Sequence, residues 1–406
     1  MAAILYAWEL GANLGHAGAF MPLARALRDR GHEVSWMVAR PAIVGDLLSR
    51  EGFGWLAAPT VAEVKRPGPP LTYADILLRF GYADPGALFG LVGAWRQAMR
   101  LTGARLVLAD HAPTALIAAR SLGVPAMLSS NGFTVPPRRS PLPNMRPWAQ
   151  VPEQTIAELD RTALSSVNTV LARYGSAPLP CLADLFAVAE EALLTFPELD
   201  HYADRGPARY WGSMPSAGVG RKAVWPEGDG IRIFAYLRRE NPYHEAALAA
   251  LLGLGHAAIV YFPDMPAALA TQYSAPHLRF ADQPVDLAQM TGEADIAVTY
   301  ASLATTTAFL LAGKPLLLMP GHLEQFLVAR RVEELGAGRL VNPEQPVGDL
   351  RALIADLIDN PSWRSNARAF AAKYAAFDQR AVTGNLVRRI DDLLGERNPV
   401  QTKEVP

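Results

Sequence analysis

Short apolar runs bounded by glycine alternate along this chain with stretches of helical periodicity. Residues 4–8 are largely apolar, the next segment holds Gly11, Gly15 and Gly18, residues 21–30 carry a helical pattern ending at Gly31, and residues 33–39 return to strand composition. That order spells strand, loop, helix, strand, with glycine where a helix C-terminus favours it. The rhythm continues with strand 104–109, helix 113–121 closed by Gly123, and strand 124–129. Apolar strands alternating with helices imply a parallel sheet covered on both faces.

A stretch at 210–229, rich in Gly, Pro, Ser and charge, reads as an interdomain linker. Beyond it the pattern restarts: strand 232–236, helix 243–252, strand 258–262, helix 265–272, strand 296–300, helix 305–312, strand 316–319 and helix 326–335. A long helical region, 361–394, precedes a polar tail from 396. A chain of 406 residues is also too long for one ordinary core. The expected division is 1–209, a linker at 210–229, a second α/β domain at 230–375, a C-terminal helix at 376–395 packing back on the first domain, and a disordered tail at 396–406. Residues 67–95 break the rhythm with proline, glycine and aromatics, and read as an insertion over the sheet edge.

The 38 basic residues nearly cancel the 39 acidic ones, which removes the field a general nucleic-acid binder would present. One cysteine, Cys181, cannot form an internal disulfide, which suits the cytoplasm. No run approaches the about eighteen apolar residues of a membrane span, and the first strand carries Glu9 and lacks the basic start of a secretion signal.

In open α/β sheets, ligands sit beyond the carboxyl ends of the strands. Three such loops stand out. His16, before the first helix, is either a general base for an acceptor hydroxyl or a helix-capping or exposed histidine. Asp110, followed by His111, could orient His16 and stabilise its protonated form, or cap the helix starting near 113. Residues 300–307 place Ser302 and Thr305, Thr306 and Thr307 at a helix start, a seat for phosphate or plain capping. Farther on, Glu324 and Gln325 are suited to vicinal hydroxyls. The first-loop glycines do not fit G-x-G-x-x-G, although Arg40 after the second strand keeps an NADP enzyme open.

Taken together, these segments resemble the UDP-glycosyltransferase-like branch of GT-B enzymes, in particular bacterial transferases acting on small natural products. The strongest parts are GKPLLLMPGHLEQFLVARRVEELGAG at 313–338 and LGHAGAFMPLARALRDRGHEV at 14–34. The resemblance implies two Rossmann-like domains facing across a cleft, the N-terminal one for the acceptor and the C-terminal one for the donor. It implies His16 as the base, Asp110 as its acidic partner, and Glu324 and Gln325, with His322 beside them, on the donor sugar. Residues 280–286 resemble the segment whose backbone meets the nucleobase, here at Val285, without the usual Trp and Gln. Where the family has His-Gly-Gly-x-Gly-Thr, this chain has Tyr300-Ala301-Ser302-Leu303-Ala304-Thr305. Arg238, after the strand at 232–236, is then expected to replace the missing His toward the diphosphate.

The expected reaction is inverting transfer from a nucleoside-diphosphate sugar, UDP- or dTDP-linked, to a small acceptor. Gly15, Tyr73, Phe80 and Tyr82 are the expected acceptor contacts, an aromatic set that suits an apolar or aromatic molecule. No Asp-x-Asp pair stands ready for a divalent cation, so neither metal nor cofactor is expected. A homodimer is compatible with the sequence. Two rival readings stay open: a degenerate auxiliary protein, supported by the altered phosphate loop, and a nucleotide-sugar epimerase.

Overall fold

The structure, a computed structural model, describes residues 1–11, 15–214, 220–228, 230–263, 265–346 and 348–395. Part of the first glycine loop (12–14), parts of the expected linker (215–219 and 229) and the expected tail (396–406) lie outside the described residues. The chain forms two compact units, one of Met1–Phe196, Asp204–Pro215 and Gln379–Pro406, the other of Pro197–Ala203 and Ser216–Asp378.

The first unit runs β1 (Ala3–Trp8), α1 (Gly15–Asp29), β2 (Glu33–Val38), α2 (Pro41–Arg50), β3 (Gly54–Ala57), α3 (Tyr73–Leu77), α4 (Pro85–Leu101), β4 (Leu106–Asp110), α5 (Pro113–Leu122), β5 (Ala126–Ser130), α6 (Glu153–Arg173) and β6 (Glu190–Leu193). Its sheet is parallel throughout, in the order β3-β2-β1-β4-β5-β6. The order reverses between β1 and β4, so the loops leaving those strands diverge and open a crevice at their carboxyl ends. Beneath it, Phe20 of α1 stacks on Tyr6 at 4.0 Å and meets Trp36 edge-on at 5.0 Å.

The second unit runs β7 (Arg232–Tyr236), α7 (His244–Leu254), β8 (Ala257–Tyr261), α8 (Ala267–Gln272), β9 (Leu278–Ala281), α9 (Leu287–Glu293), β10 (Ile296–Thr299), α10 (Leu303–Leu311), β11 (Leu316–Leu318), α11 (Leu323–Glu334), β12 (Gly338–Leu340), α12 (Leu350–Asp359) and α13 (Pro361–Lys373). Its order, β12-β11-β10-β7-β8-β9, repeats that of the first sheet, with the reversal between β7 and β10. Ile233, Leu248, Val260, Val298, Leu317 and Ile354 are among the side chains of its core.

The structure refines several sequence expectations. Helix α1 begins at Gly15, not 21, because the glycines at 15 and 18 are helical and Pro22 is carried inside the helix. The long helical region 361–394 consists of α13, which ends at Lys373, and α14 (Gln379–Gly395), which belongs to the first unit and packs on α1. The edge strands β3, β6, β9 and β12, absent from the reading, have three or four residues each. The expected insertion is mostly folded, as α3, a π-helical turn at Leu78–Tyr82 and α4. The linker region is held on both sides, Trp211 N donating to Leu193 O in the first unit and Arg221 pairing with Val285 in the second.

Candidate functional site

At the reversal in the first sheet, α1 brings His16 to the end of β4. His16 Nδ1 lies 2.9 Å from Asp110 Oδ2. The same oxygen accepts from Tyr6 Oη at 2.8 Å, and Ser130 Oγ donates to Oδ1 at 2.7 Å. The carboxylate is therefore gripped by its two neighbouring strands, since β1 supplies Tyr6 and β5 supplies Ser130. Burial alone would push Asp110 up; the His16 charge and the three hydrogen bonds outweigh it and hold the carboxyl below its usual range. Asp110 is not the cap of α5. Glu9 takes that place, its Oε2 accepting from Thr114 N at 2.8 Å, while Ala112, the N-cap of α5, makes no side-chain capping bond. Burial of Glu9 outweighs these hydrogen bonds and pushes its carboxyl up to about 7.

The His16 ring lies against Trp8, centroids 5.2 Å apart, and its Nε2 faces Gly11. A β-carbon at Gly11 would come within 2.6 Å of that nitrogen, and the backbone there has φ +93°, so glycine satisfies both space and conformation. With Nδ1 directed to a carboxylate, Nε2 is the nitrogen able to take a proton, given the tautomer the carboxylate selects.

The expected acceptor contacts separate. Gly15 is exposed at the first turn of α1, next to His16. Phe80 is half-buried in the π-helical turn, where its own φ and ψ are non-helical. Tyr73 and Tyr82 are fully buried, so they shape the unit from inside; Tyr82 Oη lies 3.1 Å from Thr114 Oγ1.

In the second unit, the reversal gathers Arg238 after β7 and Tyr300 after β10. The Arg238 guanidinium lies 6.0 Å from the Tyr300 ring centroid, its Nε 3.5 Å from Glu240 Oε2, and its side chain is 36% exposed. Tyr300 meets Tyr236 edge-on at 4.8 Å. Burial first, and Tyr236 next, push the Tyr300 phenol up, so it stays an O–H donor. Ala301 follows with φ +62°, the left-handed region that glycine would enter without strain.

Ser302, not Thr305, is the N-cap of α10, and its side chain makes no capping bond. Thr306 and Thr307 are 0% and 1% exposed, which removes them from the surface an anion could touch; Thr305 is 7% exposed. The Val285 segment is firmly placed: Arg221 N donates to Pro284 O at 2.8 Å, and Asp286 N to Arg221 O at 2.9 Å. In a parallel bridge of this kind the N–H of Val285 faces away from Arg221, while its carbonyl lies against Gly220, where a β-carbon would collide with the oxygen.

On α11, Gln325 Oε1 accepts from Gly321 N at 2.9 Å, which leaves its NH₂ as the group to offer a ligand, with half-buried Glu324 beside it as acceptor. His322, the N-cap, has an exposed surface, yet the protein around its imidazole lowers its pKa while Glu324 opposes the shift. Sequence reading missed Tyr6, Ser130 and Glu9. Their signal was position at or near a strand's carboxyl end, legible only once strand order is known.

The chain has the GT-B fold. CalG4, the calicheamicin glycosyltransferase, is similar with a TM-score of 0.73 and 18% identity over 98% of this chain and 99% of that one. The spinosyn rhamnosyltransferase SpnG, complexed with spinosyn aglycone, gives 0.69 and 18% over 96% and 100%. The glycosyltransferase VinC, in complex with dTDP, gives 0.67 and 19% over 98% and 100%. No family model matches the sequence, and none of the curated proteins does. Among the described residues no helix is long and apolar enough to cross a membrane.

Proposed function

We propose that this chain is an inverting glycosyltransferase that moves a sugar from a nucleoside-diphosphate donor to a hydroxyl of a small acceptor, without a metal. The observation that carries the reading is the His16–Asp110 pair, whose carboxylate is held by Tyr6 and Ser130. His16 Nε2 takes the acceptor proton as the oxygen bonds to the anomeric carbon and the bond from that carbon to the diphosphate breaks. Asp110 holds the imidazolium that forms without taking its proton. The charge on the departing diphosphate is met by Arg238, the Tyr300 O–H, Ser302 and the first N–H groups of α10, Thr305 included. Glu324 and Gln325 supply an acceptor and a donor to the sugar hydroxyls, with His322 at the same helix start, and Val285 offers its backbone to the base.

The fold shared with VinC, whose structure holds dTDP, makes dTDP the first nucleotide to test, and the aglycone on SpnG makes small natural products the first acceptors. The test is calorimetric titration with dTDP, UDP and GDP, followed by transfer assays on dTDP- and UDP-sugars. One nucleotide should bind. Arg238→Ala should weaken it by about tenfold or more, as loss of a charge-assisted contact does. Asp110→Asn should leave nucleotide affinity within about twofold and lower transfer at least about a hundredfold. A chain that binds none of the three nucleotides would be better read as an auxiliary protein.

A further inference from the structure

Each sheet has two edge strands, β3 and β6 in the first unit and β12 and β9 in the second. An edge presents unpaired peptide N–H and C=O groups, and charge along the strand is a common guard against a further strand adding there. Three of the four carry such charge. β6 has Glu190 and Glu191, β9 has Arg279 and β12 has Arg339. β3 has none: it reads Gly54-Trp55-Leu56-Ala57, is exposed along its whole length, and lies in a run of sequence, 52–62, that holds no charged residue. Trp55 and Leu56 are 37% and 41% exposed, and Ile43 of the neighbouring helix α2 is 49% exposed.

The register of β3 on β2 fixes which of its backbone groups point outward. Val38 lies opposite Ala57, and Val38 O accepts from Ala58 N at 2.9 Å. In a parallel ladder that bond turns the backbone groups of Leu56 and Ala58 toward β2 and leaves the N–H and C=O of Trp55 and Ala57 facing away from it. Two outward residues with one inward residue between them form a pattern that matches its own copy.

We propose that β3 is a dimerisation edge: the β3 of a second copy of this chain adds antiparallel about a two-fold axis through Leu56, joining the two first-unit sheets edge to edge. Trp55 of each copy then stands opposite Ala57 of the other. Each of those two pairs exchanges both of its N–H···O bonds, so every outward group of Trp55 and Ala57 is satisfied. Leu56 meets its own counterpart on the axis, where side chains approach more closely. The alternation suits this, because each indole faces a methyl and not a second indole. The occupant is a second copy because the charge beside the edge is self-complementary. Asp46 and Arg50 are exposed one turn apart on the side of α2 that carries Ser49, whose Oγ accepts from Trp55 Nε1 at 3.1 Å. A two-fold axis reverses their order and sets unlike charges across it, which an unrelated strand has no reason to match.

Sedimentation velocity on the full-length chain, run from about 1 to 100 µM, tests this, because a contact smaller than a standard interface associates weakly. The wild-type chain should pass from monomer to dimer across that range and stop there, since an isologous pair leaves no free β3. Leu56→Lys and Leu56→Glu each put like charges face to face on the axis and should weaken the dimer at least about tenfold. Mixed in equal amounts, the two variants should associate at least about tenfold more tightly than either alone. Ala57→Pro removes one outward N–H from each copy, and with it half of the new hydrogen bonds, and should also leave the chain monomeric. Circular dichroism matching the wild type identifies the variants that fold. The charge variants and the proline variant act by different means, so misfolding of one leaves the others to decide. A wild-type chain that stays monomeric to the top of the range, growth beyond a dimer, a dimer unchanged in folded Leu56→Lys or Ala57→Pro, or a mixture with no recovery would overturn the inference.

Discussion

Glu9 and Asp110 are both buried carboxylates at the carboxyl edge of one sheet, and their surroundings drive them in opposite directions. Asp110 has His16, Tyr6 and Ser130 on its oxygens and is held low; Glu9 has hydrogen bonds from Thr114 and the Ala115 N–H, which burial outweighs, and is pushed up to about 7. An acid whose native pKa is raised binds more protons folded than unfolded between about 4.5 and 7, so stability falls as pH rises through that window. The cost is fully present above it. A shift of this size corresponds to at most roughly 3 kcal/mol. Glu9→Gln, which can still accept from Thr114 N, should therefore be close to neutral at pH 5 and stabilising by about 1–3 kcal/mol at pH 8, read from denaturant midpoints. Equal effects at both pH values would show that Glu9 is ionised in the native state at pH 5. His16 and Asp110 were legible because each stands in a loop or at a strand end next to a helix start. Glu9 was not, since its partner Thr114 is 105 positions away in the first turn of α5, which only the pairing of β1 with β4 brings beside it.

The turn between β10 and α10 shows the same limit for an element. The strand and the helix were readable from their apolar runs, and the departure from a glycine-rich loop was visible in the residue types. Which residue of that turn carries the left-handed backbone was not. It is Ala301, fully buried, with φ +62°. The left-handed conformation costs a non-glycine residue about 1–2 kcal/mol, whereas glycine loses about 0.5–1 kcal/mol more on folding than alanine. Ala301→Gly should stabilise the second unit by up to about 1 kcal/mol in denaturant titrations. A loss of more than about 0.5 kcal/mol would mean that packing of the buried methyl exceeds the strain. The edge strands β3, β6, β9 and β12 escaped the reading for a different reason: three or four residues carry too little pattern, and β3 is exposed along its length.

At the scale of the molecule, the repeated apolar rhythm made two α/β units legible, and the terminal helix was expected to pack back on the first. Here α14 is part of the first unit. It buries Val382, Leu386, Val387, Ile390, Leu393 and Leu394, and its Asp391 accepts from Arg30 at 2.7 Å and lies 2.8 Å from His32 Nε2. Even at about 1.5 kcal/mol for each buried side chain, these six contribute on the order of 10 kcal/mol, comparable to the about 5–15 kcal/mol net stability of a domain. The ion pair is half-exposed and adds little beside them. The first unit thus depends on a segment that the chain delivers only after completing the second. Leu386→Asp puts an unpaired carboxylate at a position with 0% exposure and should break that dependence. Hydrogen exchange on the full-length variant should show lost protection in α1, β4 and β5, while β7, β8, β10 and β11 keep theirs. Protection lost equally in both sheets would mean that the units unfold as one, and protection retained in α1 would mean that the first unit stands without α14.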